Sequence, residues 1–418
     1  MNTPWLVILC KFSDSDEEPH PKQYYWDLFT GDDVGSSWNM VRYFDDYSQG
    51  TVGVAGSKVF GWYKLQKAVD QYNALGQCAR GHLIQWAQQA AQAQDGVNPD
   101  DFFSTVVCTN LWTDIGAWFG PVSIAEFNCD PSLVAAGVVA QGVTGPRPWG
   151  LAEEMGHIYG LMHSRVDGSE TDYLDPWDGM SAFSNLHTPD PEFSELGPGL
   201  NAWNMQSQNW LDQSRVWKDS ANNFDETITL RPHVRRDLPG NLAAEMSGGF
   251  LVEFRVPEGW DGGIPRAAVL VHRFENGHSY LMAGNSGSHD LVVGDSFGDQ
   301  DPGNSPLSLF ADFNRLDVLS IDPAAEEATI RLRHHSAFLP GIDGRAIDPM
   351  YLILSGSAYG RWVEGHHPHV EVTALRAFLE EMPPREQEAA LARARALVHY
   401  GHAVERAAKS LQGEEVGA

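Results

Sequence analysis

The segment from Glu153 to His163 constrains the backbone more than any other part of the sequence. On a helix, Glu153 and His157 are four residues apart and project from one face, so both can reach one metal ion. Gly160 allows the chain to turn sharply after the helix, and His163 can then return as a third ligand. Two imidazoles and a carboxylate leave one open position on a tetrahedral zinc ion, as a catalytic site requires. Glu154 lies beside this set and is the candidate general base.

The size and charge of the chain limit the classes of function. With 418 residues the chain is too long for one ordinary domain, and its 42% hydrophobic content supplies packed cores. The formal net charge of −28 repels phosphate, so we expect neither nucleic-acid nor anionic-membrane binding. No run reaches the roughly 18 apolar residues of a membrane helix, so we expect no membrane span. The sequence makes no prediction of oligomeric state.

The N-terminus and the cysteines leave the compartment open. The segment MNTPWLVILCKFSDSDEE has no basic region and only a short apolar run, so it does not predict a signal peptide. A cytoplasmic protein and a mature secreted form are both compatible with this sequence. The four cysteines show no CxxC pairing, which disfavours a thiolate zinc site. Cys10 and Cys108 lie in apolar runs and are expected to be buried, and a disulfide is left open.

The hydrophobic pattern divides the chain into three predicted parts. Strand-like and helix-like segments alternate over residues 1–218, which predicts an α+β domain. Short β-type runs separated by Gly, Pro, Asn and Asp over residues 222–335 predict a β-sandwich of antiparallel strands. Residues 336–418 are predicted to be a mostly helical extension, because apolar residues from Leu397 to Leu411 follow a helical spacing.

Several segments resemble a known family. The segment from Glu153 to His163 resembles the metzincin zinc signature H-E-x-x-H-x-x-G-x-x-H, with Glu153 in place of the first His. The segment DPWDGMS at 175–181 resembles the Met-turn, with Met180 as its methionine. The segments WLVILCKFSDSD, VRYFDDYSQGTVGV and VFGWYKL resemble the start of immune inhibitor A and gametolysin-like secreted metallopeptidases. GFLVEFRVPEGWDGG resembles the β domain of that group, so the resemblance covers about residues 5–335.

This resemblance implies a metzincin-like zincin catalytic domain and a zinc-dependent endopeptidase that acts on a polypeptide substrate. It also implies secretion. Glu153, His157 and His163 would bind Zn²⁺, and Glu154 would act as the general base. Met180 would form an apolar floor under the metal without binding it. In several metzincins a Tyr just after the Met-turn stabilises the oxyanion, and the substitute candidate for this role is Tyr173.

The Glu at position 153 leaves other interpretations open. The site could be degraded, because two His alone hold zinc poorly, and no general base would remain if Glu154 took the metal. The protein would then be a catalytically inactive metzincin-like binding protein that recognises a peptide or glycan. Two His and one carboxylate are also the ligand set of non-haem iron oxygenases.

Four aspartates follow His163 in the sequence. Their carboxylates could bind Ca²⁺, which takes oxygen ligands, although their spacing is not that of an EF-hand. A plain acidic loop is the alternative. The candidate calcium ligands are Asp167, Asp172, Asp175 and Asp178.

Overall fold

The computed structural model divides the chain into two compact units. The described residues are 1–30, 38–113, 116–119, 123, 125, 127–130, 136–140, 147–181, 186–218, 223–299, 313–335, 339–340 and 346–347. The first unit comprises Met1–Lys218, Ile228–Ser296 and Asp317–Ile330. The second comprises Asp219–Thr227, Phe297–Leu316 and Arg331–Ala418.

The limits of these units differ from the predicted domain boundaries. Residues 1–218 share one unit with 228–296 and 317–330, which belong to the predicted β-sandwich. The three predicted domains stay a prediction. Most of the predicted C-terminal extension, including its helical stripe, lies outside the described residues.

A five-stranded mixed sheet has the strand order β2-β1-β3-β5-β4. Its strands are β1 (Trp5–Lys11), β2 (Lys58–Lys64), β3 (Ser104–Thr109), β4 (Gly116–Phe119) and β5 (Ala136–Ala140). The pairs β1–β2, β1–β3 and β3–β5 are parallel, whereas β4 lies at the edge antiparallel to β5. β1 and β3 form in the apolar runs that contain Cys10 and Cys108, and such continuous runs suit strands that are buried on both faces.

Helices cover the two faces of this sheet. They are α1 (Lys22–Thr30), α2 (Met40–Ser48), α3 (Val69–Asn73), α4 (Ala79–Asp95), α5 (Pro148–Ile158) and α6 (Ala202–Ser207). Successive residues of β1 point to opposite faces. Leu6 and Ile8 therefore belong to a core with residues of α3 and α4, whereas Val7 and Leu9 belong to a core with residues of α1, α2 and α5.

A six-stranded sheet has the order β6-β14-β13-β12-β11-β9. Its strands are β6 (Arg165–Val166), β9 (Val216–Lys218), β11 (Ala243–Met246), β12 (Phe250–Arg255), β13 (Ala268–Glu275) and β14 (His278–Leu281). The strands β11 to β14 are antiparallel neighbours, while β6 and β9 add to the two edges in parallel. Because β6 begins two residues after His163, this sheet anchors the chain as it leaves the candidate metal centre.

The remaining strands form smaller sheets. A four-stranded sheet has the order β10-β17-β16-β15, from β10 (Asn223–Leu230), β15 (Ser296–Gly298), β16 (Phe313–Asp322) and β17 (Glu327–His335). Two further pairs are β7 (Thr188–Asp190) with β8 (Ser194–Leu196), and β18 (Leu339–Pro340) with β19 (Ala346–Ile347). The described part of the chain is therefore a mixture of helices and sheets. A sandwich arrangement and a metzincin fold stay predictions.

Within the described ranges, the helices are too short or too polar to cross a membrane. This finding agrees with the expectation from the apolar runs of the sequence.

Candidate metal centre

Helix α5 carries the first part of the centre. Pro148 occupies its first turn, where the missing N–H costs nothing because that group has no partner inside a helix. The helix ends at Ile158, and Gly160 then adopts a φ of 97°, a left-handed conformation that favours glycine. The N–H of Leu161 returns to the carbonyl of Gly156 at 3.1 Å. This turn redirects the chain so that His163 comes back toward the helix.

Glu153, His157 and His163 form a group that could hold a metal ion. One ligand atom from each lies within 4.8 Å of the other two. Glu153 Oε1 is 3.6 Å from His163 Nε2 and 4.0 Å from His157 Nε2. Ligand atoms around a tetrahedral zinc ion are roughly 3.3 Å apart, given bonds of about 2.0–2.1 Å. These two separations are therefore about 0.3 and 0.7 Å wider than in a closed coordination sphere. The structure brings together the three residues that the sequence named, and their role as metal ligands stays a prediction.

A backbone carbonyl orients His157. Its Nδ1 lies 2.8 Å from the carbonyl oxygen of Leu161, so Nδ1–H donates and Nε2 is directed toward Glu153. Metal-binding imidazoles usually have such a partner on their second nitrogen. Burial, reinforced by the neighbouring His163, lowers the pKa of His157 to about 4. The ring therefore stays neutral at pH 7, as a metal ligand must.

A carboxylate orients His163. Asp172 Oδ2 lies 3.1 Å from His163 Nδ1, and its Oδ1 accepts a hydrogen bond from Arg165 Nε at 2.7 Å. Burial would raise the pKa of Asp172, but the hydrogen bonds from Arg165 and His163 outweigh it and lower that pKa. Burial lowers the pKa of His163 despite the nearby carboxylate. Asp172 thus stays ionised, and the Nε2 of His163 is directed toward Glu153.

Glu154 lies beside the centre on the same helix. Its Oε2 accepts a hydrogen bond from the backbone N–H of Ala117, in the edge strand β4, at 2.5 Å. Because Glu154 and Glu153 are adjacent on α5, they leave the helix about 100° apart and face different surroundings. Glu153 is only 2% exposed, whereas Glu154 is partly exposed. This difference agrees with distinct roles for the two carboxylates.

Tyr173 also lies against the centre. Its hydroxyl is 2.9 Å from His163 Nε2, the nitrogen that faces Glu153, and the two rings are 4.2 Å apart. Tyr173 has a positive φ of 69°, which is uncommon for a residue other than glycine. Burial and the nearby Glu153 and Glu154 raise the pKa of the phenol, which therefore stays protonated. The sequence named Tyr173 only as a substitute, and the structure brings it to the ligands.

Met180 packs under α5. It is completely buried, and a Cβ added to Gly156 would lie only 2.8 Å from its Sδ. Real Cβ contacts are not that short, so a side chain at position 156 would displace the methionine. The backbone carbonyl of Met180 also accepts a hydrogen bond from Ser164 N at 3.1 Å. Met180 therefore packs against the helix between Glu153 and His157, and its role as the methionine of a Met-turn stays a prediction.

The four candidate calcium ligands have separate partners. Asp172 holds His163 and Arg165, as described above, and Asp167 lies 3.3 Å from Arg273 Nη2. Within the described residues, the only group of three or more acidic, His or Cys side chains with metal-binding spacing is Glu153, His157 and His163. Calcium binding by the aspartates stays a prediction that these contacts do not favour.

Asp175 and Asp178, in the segment 175–181, are fully buried. Asp175 Oδ1 accepts from Trp177 N at 2.9 Å, and its Oδ2 lies 3.0 Å from His272 Nε2 in β13. Asp178 Oδ2 accepts from the Ser164 hydroxyl and from Asn204 Nδ2 at 2.6 Å. Hydrogen bonds of this kind compensate the cost of burying a carboxylate. Both side chains therefore fasten the loop to its surroundings.

Comparison with models of protein families finds no match, and comparison with curated proteins finds no significant similarity. The interpretation of this centre therefore depends on its own geometry and on the motifs in the sequence.

Proposed function

We propose that this protein is a zinc-dependent endopeptidase of the metzincin type. The observation that supports this most is the convergence of Glu153, His157 and His163, whose ligand atoms lie within 4.8 Å of each other. Two imidazoles with one carboxylate are a ligand set of zinc hydrolases. The hydrogen bonds that His157 donates to the Leu161 carbonyl and His163 donates to Asp172 further favour a ligand role for both His residues.

The bound ion would polarise the scissile carbonyl and lower the pKa of a water molecule. Glu154 would accept the proton of the attacking water and return it to the leaving amine. Its hydrogen bond from Ala117 N keeps the carboxylate beside the edge strand β4. Tyr173 would donate a hydrogen bond to the oxygen that becomes negatively charged, since its raised pKa keeps the phenol protonated.

The proposal includes a location outside the reducing cytoplasm. Cys78 and Cys129 form a disulfide, a bond that is rare in proteins kept under reducing conditions. Cys10 and Cys108 are buried, as their apolar surroundings predicted, and neither takes part in a disulfide. The disulfide thus favours secretion, the location that the sequence resemblance implied.

The test combines metal content with peptide cleavage. Mass spectrometry of the purified protein after zinc repletion should find about one zinc per chain, and Glu153→Ala should lose it. Glu154→Gln should retain the zinc but lose cleavage of an unstructured protein such as casein by a factor of about 10²–10⁴. Glu153→His serves as the matched control, because it restores the three imidazoles of the metzincin signature.

Two results would refute parts of the proposal. Cleavage that survives in Glu154→Gln would remove Glu154 as the base. Full zinc content in Glu153→Ala would remove Glu153 from the ligand set. A wild-type protein that binds zinc but cleaves no polypeptide, while Glu153→His does, would favour the alternative of an inactive binding protein. Full occupancy by iron instead of zinc would favour an oxygenase.

A further inference from the structure

A cavity of about 310 Å³ lies in the first unit, bordered by α2 and by residues 232–235 and 256–261. None of its lining residues belongs to the candidate metal centre. Its volume is at the lower end of the range of about 300–1,000 Å³ that ligand sites occupy. Tyr47 contributes to the wall and is fully buried. The cavity is thus a separate space of ligand size within the first unit.

One face of α2 and its N-terminal flank builds the aromatic side of the cavity. Trp38, Arg42 and Asp46 are four residues apart and therefore lie in one row along the helix. The Trp38 and Trp260 rings meet edge to face, with centroids 5.1 Å apart. Trp260 Nε1 donates a hydrogen bond to Asp46 Oδ2 at 2.9 Å. A Cβ on Gly259 would lie 2.8 Å from the Trp38 ring, so glycine is needed for this contact.

The protein already places a guanidinium group against this wall. The central carbon of the Arg42 guanidinium lies 3.5 Å from the Trp38 ring centroid, and Arg42 Nε lies 3.5 Å from Asp46 Oδ2. Cations are attracted to the faces of indole rings, and the attraction grows when the pair is shielded from water. An indole next to a carboxylate is therefore a surface that suits a planar basic group.

Two carboxylates meet at another part of the cavity. Glu326 is only 8% exposed, and burial together with the neighbouring carboxyl group of Glu258, which is exposed, raises its pKa. Arg235 pairs with Glu326, but it also holds Asp237 with two further contacts. Neighbouring carboxylates disfavour each other's charged form. An ammonium or guanidinium group could relieve this repulsion by donating hydrogen bonds to both.

The charges of the wall favour a cation. Asp46, Glu258 and Glu326 supply three carboxylates, whereas Arg42 and Arg235 supply two guanidinium groups. A fourth carboxylate of the wall, on Asp261, is engaged by the fully buried Arg255 at 2.7 Å. The whole chain, with its net charge of −28, also attracts cations over longer distances.

We propose that this cavity binds a basic side chain, arginine or lysine, of a polypeptide. The side chain packs along the indole rings and donates hydrogen bonds to Glu258 and Glu326. The site is separate from the metal ligands and does not require that the protein cleave the polypeptide it holds.

The test measures the binding of a probe peptide by fluorescence anisotropy at 150 mM salt. The probe is fluorescein-labelled Gly-Gly-Arg-Gly-Gly, and the reference peptide carries citrulline, which keeps the shape of arginine without its charge. All measurements use the full-length chain with Glu154→Gln, so that the probe is not cut. We expect the arginine peptide to bind at least 10-fold more tightly than the citrulline peptide.

Substitutions then locate the bound peptide. Glu258→Gln should weaken the arginine peptide about 5- to 10-fold, and its exposed position makes misfolding no concern. Glu17→Gln is the matched control, because it removes one exposed carboxylate from the same acidic protein and should change the affinity less than twofold. Equal affinity for the two peptides, or equal effects of the two substitutions, would overturn the proposal. Binding that depends on metal but not on Glu258 would place the peptide in the metal centre and would also overturn it.

Discussion

Replacing Asp172 with asparagine tests whether His163 is held in place for a metal. The Asp172 carboxylate accepts from two donors, His163 Nδ1–H at 3.1 Å and Arg165 Nε–H at 2.7 Å. Asparagine has the same shape but offers one oxygen and one NH₂ group. Whichever way the amide turns, one of the two donors then faces another donor. The imidazole must give up its partner, or the arginine must move.

The expected loss of zinc affinity follows from the role of a carboxylate that orients a metal-binding imidazole. Removing the group that orients a metal-binding His lowers metal affinity about 10- to 100-fold. This corresponds to about 1.4–2.7 kcal/mol. We expect Asp172→Asn near the upper end of this range, because the Arg165 pair that holds Asp172 is disturbed by the same change. The Nε2 of His163 would then lose its direction toward Glu153.

The assay is competition for zinc with a chromophoric chelator at pH 7.5, where the imidazoles are neutral. Asp167→Asn is the control, because it makes the same chemical change in the same loop at a residue that contacts only Arg273 among the described side-chain partners. Asp172→Asn should weaken zinc binding and Asp167→Asn should not. Wild-type affinity in Asp172→Asn, with the protein folded, would refute the argument that this carboxylate orients a ligand.

Three further predictions concern catalysis and stability. Tyr173→Phe should lower kcat about 100-fold and leave the zinc content unchanged. Steady-state kinetics on a fluorogenic peptide would measure the change in kcat. Burial would raise the pKa of Glu253, but His233, Arg255 and His272 outweigh it and hold that pKa at about 2, against 4.5 when unperturbed. The stabilising effect of the Glu253 carboxylate is therefore complete above pH 4.5 and lost as the pH falls toward 2. Glu253→Gln should therefore lower the free energy of unfolding by about 3 kcal/mol at pH 7. Below pH 4.5, the urea midpoint of this variant should fall less steeply with decreasing pH than that of the wild type. Reducing the Cys78–Cys129 disulfide should lower the free energy of unfolding by about 2–4 kcal/mol. Both the reduced protein and Cys78→Ser should therefore unfold at a lower urea midpoint.

The sequence predicted that Glu153, His157 and His163 come together, because their grouping depends on local geometry. Glu153 and His157 share a face through the helical period alone, and Gly160 marks the turn that returns His163. These relations extend over eleven residues and need no knowledge of the rest of the fold. The strands β1 and β3 were predictable for a similar reason, since each is a continuous apolar run.

Other features were not predictable because they join distant parts of the chain. Cys78 and Cys129 are 51 residues apart, and nothing in their spacing distinguishes this pair from the other possible pairs. The hydrogen bond from Ala117 to Glu154 depends on where the edge strand β4 lies relative to α5. The cavity beside α2 requires Trp260, whose approach to Trp38 could not be inferred from residues more than 200 positions apart.

The aspartates after His163 show why composition alone leaves the roles of the carboxylates in a loop open. In the sequence Asp172, Asp175 and Asp178 look alike, and a dense acidic loop suggests an ion that all of them share. In the structure each carboxylate has a different hydrogen-bond partner: His163 for Asp172, His272 for Asp175 and Asn204 for Asp178. Because two of these donors come from residues far along the chain, only the tertiary structure distinguishes a group that orients a metal ligand from groups that fasten the loop. Substituting Asp172 should therefore affect metal binding first, whereas substituting Asp178 should affect folding first.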